Sequence, residues 1–196
     1  MASQIKHLWI FLLGLTLSTS AIAHTGEGVT GGLMSGFMHP VAGFDHVTAM
    51  VAVGILGAFL GRPAIWVLPV VFPLVMALGG VLGLIGVPIP FIETGIAASS
   101  IVLGLMILFA VKIPLWIAAI MVAAFAIFHG HAHGTELPNA ANALAYSVGF
   151  VVSTGLLHLA GIGIGELTRW PVGQIIARAI GGLIALAGVG FLTGWL

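Results

Sequence analysis

The chain has 196 residues, 60% of them hydrophobic and 5% charged, and five Lys and Arg balance five Asp and Glu to a formal net charge of zero. A soluble domain carries about a quarter charged residues, so the composition excludes an ordinary soluble protein, and the lack of a basic patch excludes a nucleic-acid partner. Cysteine is absent, which excludes thiolate metal sites, disulfides and thiol redox chemistry.

The first element reads as a processing signal. Lys6 and His7 form a short polar start, Leu8 to Leu17 an apolar run too short to span a bilayer, and Ala21-Ile22-Ala23 a small-x-small cleavage site. Residues 1–23 are therefore expected to be a signal peptide, with residues 24–196 as one membrane domain. Cleavage would place His24 at a new N-terminus outside the cytoplasmic membrane. Its imidazole and free amine would then form a chelating pair near Glu27; the plainer reading is a tail with no ligand role.

Six apolar segments follow, at about 43–61, 63–86, 92–111, 113–131, 139–162 and 171–195. Each is near the ~20 residues that a spanning helix needs. The breaks carry Gly61-Arg62-Pro63, Pro88-Ile89-Pro90, Lys112-Ile113-Pro114, Pro138-Asn139 and Arg169-Trp170-Pro171, and Pro suits the first turn of a helix, where a missing N–H matters least. No linker or low-complexity tract interrupts them. The prediction is an all-α membrane protein, a six-helix transmembrane bundle after removal of the signal peptide. Arg62, Lys112 and Arg169 fall in alternate breaks, while 87–91 and 132–138 contain no Lys or Arg. The positive-inside rule then puts both termini outside. Arg178, about two turns into the last segment, is expected to snorkel back to the inner side.

On that topology the ligand-type side chains collect at one membrane face. His39, Asp45 and His46 lie at the outer start of the first span, Glu93 at the outer start of the third, and His129, His131, His133 and Glu136 at the outer end of the fourth. Ionisable groups at such positions point to function, and clustered imidazoles with a carboxylate point to a borderline divalent metal. If His39-Pro40 opens a helix, His39 and His46 share a face two turns apart. Asp45 would either ligate directly or orient a neighbouring imidazole. His129, His133 and Glu136 form one helical stripe, whereas His131 points away from it in a regular helix. Gly130 and Gly134 permit local unwinding, or serve as a small-xxx-small packing pair. Glu93 is either a ligand or a carboxylate favoured by the helix N-terminus. His158 is either a hydrogen-bonded structural residue or part of an inner exit site. Glu166 reads as a solvated loop acid. Met34, Met38 and Met50 read as apolar filler.

Two of these stretches carry a family resemblance. His39-Pro40-Val41-Ala42-Gly43-Phe44-Asp45-His46 is similar to the H-x5-D-H signature of the HupE/UreJ family of nickel permeases, and Phe128-His129-Gly130-His131-Ala132-His133-Gly134-Thr135-Glu136 to its second signature, F-H-G-x-A-H-G-x-E. The leader, length and six spans resemble that family along the whole chain. The resemblance implies a secondary transporter that takes up nickel, or in some members cobalt, across the bacterial inner membrane for nickel enzymes such as hydrogenase or urease. It implies His39, Asp45, His46, His129, His133 and Glu136 as the metal-handling residues, with His131 at a variable position. His131, Glu93, His24 and His158 are secondary candidates.

The expected partners are the divalent cation as substrate and the lipid bilayer, with no prosthetic group; a homo-oligomer is compatible with the sequence. No G-x4-G-K-[ST] phosphate loop is present, which excludes ATP hydrolysis by that route. Two rival readings use the same residues. An intramembrane zinc-dependent hydrolase would use the metal to activate water, with Glu136 as base. A haem-binding subunit would need histidines paired at one depth on facing helices. Transport predicts a polar path continuing from the outer cluster towards His158, whereas hydrolysis predicts a plug beneath the metal.

Overall fold

The computed structural model describes residues 29–135 and 142–196. Seven α-helices follow one another there: α1 (Val29–Ala42), α2 (Phe44–Leu60), α3 (Ala64–Leu84), α4 (Ile92–Leu108), α5 (Leu115–Thr135), α6 (Ala143–Glu166) and α7 (Pro171–Thr193). A short 3₁₀ turn, Leu167–Arg169, joins the last two. With so little polar side-chain material, the backbone must satisfy its own hydrogen bonds, and helices do so within one segment. The signal peptide expected at residues 1–23 lies outside the described residues, as do His24 and Glu136.

Among the described residues four helices, α3, α5, α6 and α7, are long and apolar enough to cross a membrane. The expected third span is shorter than predicted: α4 has 17 residues and stops at Leu108, where Phe109 and a left-handed Ala110 (φ 55°) turn the chain. The expected fifth span starts at Asn142, whose side-chain oxygen accepts from the Ala145 N–H at 3.0 Å. It runs on through the predicted boundary to Glu166. Pro171 opens α7 as expected. Pro69 and Pro73 lie inside α3.

The largest correction concerns the first span. His39-Pro40 does not open a helix. Both residues belong to the last turns of α1, and α1 and α2 form a pair bent by 79°. Gly43 is the break, extended at φ −87°, ψ 107°. The chain is held across it by Gly43 N–H to the His39 carbonyl at 3.3 Å and Val47 N–H to the Gly43 carbonyl at 3.0 Å. A side chain at Gly43 would sit 2.8 Å from His46 Nδ1 and 3.0 Å from Asp45 Oδ1, so the close packing of that pair explains the glycine.

α2 is the axis of the bundle and touches every other helix. Its Ala49, Met50, Ala52, Val53, Ile55 and Leu56 have no exposed surface. α1 and then α2 pack along α6 in the same direction: Gly36 lies against the Tyr146 backbone, Gly54 against His158 and Gly161, and Gly165 against Ile55. The broken pair therefore runs beside α6 as one interrupted element. Elsewhere α3 lies along α5 and α4 along α7. Leu74, Leu78, Ile120, Leu183 and Leu186 point outward and are each more than 60% exposed, which suits a lipid surround. Arg62, Lys112, Arg169 and Arg178 all lie at the end of the bundle where α2, α4 and α6 finish. Arg178 does not simply snorkel outward, because its Nε donates to the Leu108 carbonyl at 2.7 Å and closes the end of α4.

Candidate functional site

The site is built where the break between α1 and α2 meets the last turns of α5. The α5 residues are positioned by close helix contact. A Cβ at Gly130 would run into the Met76 carbonyl, and one at Gly134 into the Gly80 carbonyl; Gly79 and Gly83 make the reciprocal approach to the backbone at Ile127 and His131. These glycines therefore dock α5 on α3 through small residues. They do not unwind it, since α5 stays helical through Thr135.

Four imidazoles from three helices meet there. The rings of His46 and His133 are 4.3 Å apart, His39 and His133 4.8 Å, His46 and His129 5.2 Å, and His39 and His46 6.4 Å. His129 has no exposed surface, and His46 and His133 are buried. Tyr146 and Phe150 of α6 wall the cluster, with Phe150 4.5 Å from the His133 ring and 6.1 Å from His39. Tyr146 and Phe150 are one and two turns into α6, so the half-buried His39 lies beside the first turns of that helix.

The polar contacts orient the rings. His46 Nδ1 pairs with Asp45 Oδ1 at 2.6 Å, and His129 Nδ1 with the Phe125 carbonyl at 3.1 Å. With the proton on Nδ1 donated in each case, the second nitrogen carries the lone pair, an arrangement that fixes the tautomer of a metal-ligating imidazole. His133 Nδ1 and His39 Nε2 are hydrogen-bonded at 3.0 Å. The Nε2 atoms of His46, His129 and His133 are buried without a hydrogen-bond partner, which is costly in an apolar interior. The rings meet edge to face or tilted. Among the described residues no three His, Asp or Glu side chains present a preformed coordination shell. In this arrangement His46 bonds to Asp45, His129 to the Phe125 carbonyl, and His39 and His133 to each other.

The remaining candidates separate clearly. Glu93 and Asp45 line one open cleft of about 360 Å³ together with Phe44, Ile96, Phe191 and Leu196, so Glu93 meets the cluster only through Asp45. His131 turns away: its Nε2 donates to the Val87 carbonyl at 2.7 Å and anchors the 85–91 connection. Glu166 ends α6 in an ion pair with Arg169. His158 is almost fully buried, and Phe72 packs against both it and His129, 5.5 Å from each ring in T-shaped geometry. The two histidines thus share one aromatic neighbour. Phe72, Tyr146 and Phe150 escape a reading of the sequence, because an aromatic residue in an apolar helix looks like core wherever it falls.

A family model for the HupE / UreJ protein matches residues 11–191. The chain is also similar to Protein HupE of Rhizobium leguminosarum bv. viciae, at 48% identity over 183 residues, covering 93% of this chain and 95% of that protein. No solved structure matches. With nearly its whole length matched in order, the chain belongs to the HupE/UreJ family.

Proposed function

We propose that this protein is a secondary transporter that takes up nickel ions across the bacterial cytoplasmic membrane to supply a nickel enzyme such as hydrogenase or urease, with cobalt carried by the same groups. The observation that carries the reading is the convergence of His39, His46, His129 and His133 from three helices, inside a bundle that is otherwise apolar. Family membership supports it.

The cleft shared by Asp45 and Glu93 receives the hydrated cation. The unpartnered Nε2 atoms of His46, His129 and His133 then replace part of its water shell. Asp45 acts through His46, holding its Nδ1 proton so that Nε2 faces the ion. Glu136, three residues beyond His133, supplies a carboxylate near the same end of α5, and His24 is a peripheral ligand at most. Nitrogen and oxygen donors suit Ni²⁺ and Co²⁺ alike. A membrane potential favours cation entry by ~2.3 kcal/mol per charge per 100 mV. Residues 1–23 act as a cleaved leader. The bent α1–α2 pair, α3, α4, α5, α6 and α7 make six crossings with both termini periplasmic, a topology supported by the four cationic residues at one end of the bundle. No catalysis and no prosthetic group enter this reading.

The test is nickel-isotope uptake by cells carrying His133→Ala. Uptake should fall to background while the amount of protein in the membrane is unchanged. Undiminished uptake would refute the assignment.

A further inference from the structure

The α6 helix carries a second row of chemistry that the outer cluster does not use. Tyr146, Phe150, Thr154, His158, Ile162 and Glu166 recur every four residues. Each step climbs ~6 Å and overshoots one turn by ~40°, so the row winds slowly around the helix. Its first two members wall the outer imidazoles. Its last two line an open cleft of about 430 Å³ at the opposite end of the bundle, together with Arg62 and Arg169. Between them lie Thr154 and His158, with 0% and 2% of their surface exposed.

Neither residue is satisfied. Thr154 Oγ1 and both ring nitrogens of His158 are buried with no hydrogen-bond partner, as is the neighbouring Ser153 hydroxyl. A helical hydroxyl can bond back to a carbonyl three or four residues earlier. Thr48, Ser99, Thr135, Thr168 and Thr193 do so, but Thr154 does not. An imidazole and a hydroxyl left unpaired one turn apart, deep in an apolar bundle, carry a desolvation cost with no packing return. Nitrogen and oxygen donors together form a divalent-cation set.

We infer that His158 and Thr154 form a second, inner binding station for the transported divalent cation, divided from the outer cluster by the single ring of Phe72. This rests on the transport reading above. Phe72 packs in T-shaped contact against both His129 and His158, so rotation of that ring would open one station to the other. From His158 the ion has one further turn of α6, at Ile162, before it reaches the cleft that holds the Glu166 carboxylate. Two stations of moderate affinity allow release where one tight site would trap the ion.

The experiment compares His158→Gln, Thr154→Val and Thr154→Ser with the unmodified protein in two measurements: initial nickel-isotope uptake by proteoliposomes, and equilibrium Ni²⁺ binding from the outer side. The first two variants should import at least tenfold more slowly while outer binding changes less than twofold, and Thr154→Ser should restore the rate. Wild-type import by both His158→Gln and Thr154→Val would overturn the inner station. So would a loss in Thr154→Val that Thr154→Ser fails to rescue, because the methyl packing would then be responsible. The transport reading fails separately: in that case the unmodified protein takes up no nickel, or His133→Ala takes it up undiminished.

Discussion

Replacing Asp45 by Asn separates a carboxylate that ligates from one that orients. The carboxylate oxygen lies 2.6 Å from His46 Nδ1, the length of a charge-assisted hydrogen bond. Hydrogen bonds to charged groups contribute ~1.5–3 kcal/mol. The two side chains are 25% and 11% exposed, so water weakens the pair and the lower part of that range applies, about 1.5–2 kcal/mol. At ~1.4 kcal/mol per tenfold, Ni²⁺ affinity should fall roughly 10- to 30-fold. That lies within the ~10–100-fold expected when the partner of a metal-bound imidazole is removed. Asn keeps the volume but offers an amide N–H₂ to Nδ1. The imidazole proton then moves to Nε2 and blocks the ligating nitrogen. Calorimetric titration of the purified protein with Ni²⁺ measures the change. An affinity within twofold of the original would show that the Asp45–His46 pair plays no part in binding. A loss beyond about a thousandfold would exceed an orienting role and make Asp45 a ligand in its own right.

Gly130→Ala should lower the melting temperature by several degrees and abolish uptake, because its Cβ would strike the Met76 carbonyl and lie 2.9 Å from the Gly80 nitrogen, and overpacking costs ~1–3 kcal/mol. Gly155→Ala, with nothing within 4 Å, is the control and should change neither; equal effects of the two would remove close α3–α5 packing as the cause.

The amino-acid sequence by itself determined the class of this protein and most of its polar vocabulary. A chain with 5% charged residues and apolar segments near the spanning length of a helix buries its backbone in lipid as self-satisfied helices, and the Pro-marked breaks put five of the helices close to where they stand. His39, Asp45, His46, His129 and His133 were legible because ligand-type groups are rare and costly in such a chain. Periodicity also placed His131 off the stripe, although its bond to Val87 depends on a connection 44 residues away. The tertiary structure alone decided the depth of the site. Gly43 and Pro40 look like the entrance to one helix, and only the packing of α1 and α2 along α6 turns them into a 79° break inside the bundle. It also decided that Gly130 and Gly134 are contact points instead of points of unwinding, that Glu93 shares a cleft with Asp45, and that Phe72 packs against both His129 and His158. Each of these facts concerns residues far apart in the chain. Local spacing fixes which face of a helix a side chain occupies, but what that face meets is fixed by how closely neighbouring backbones approach.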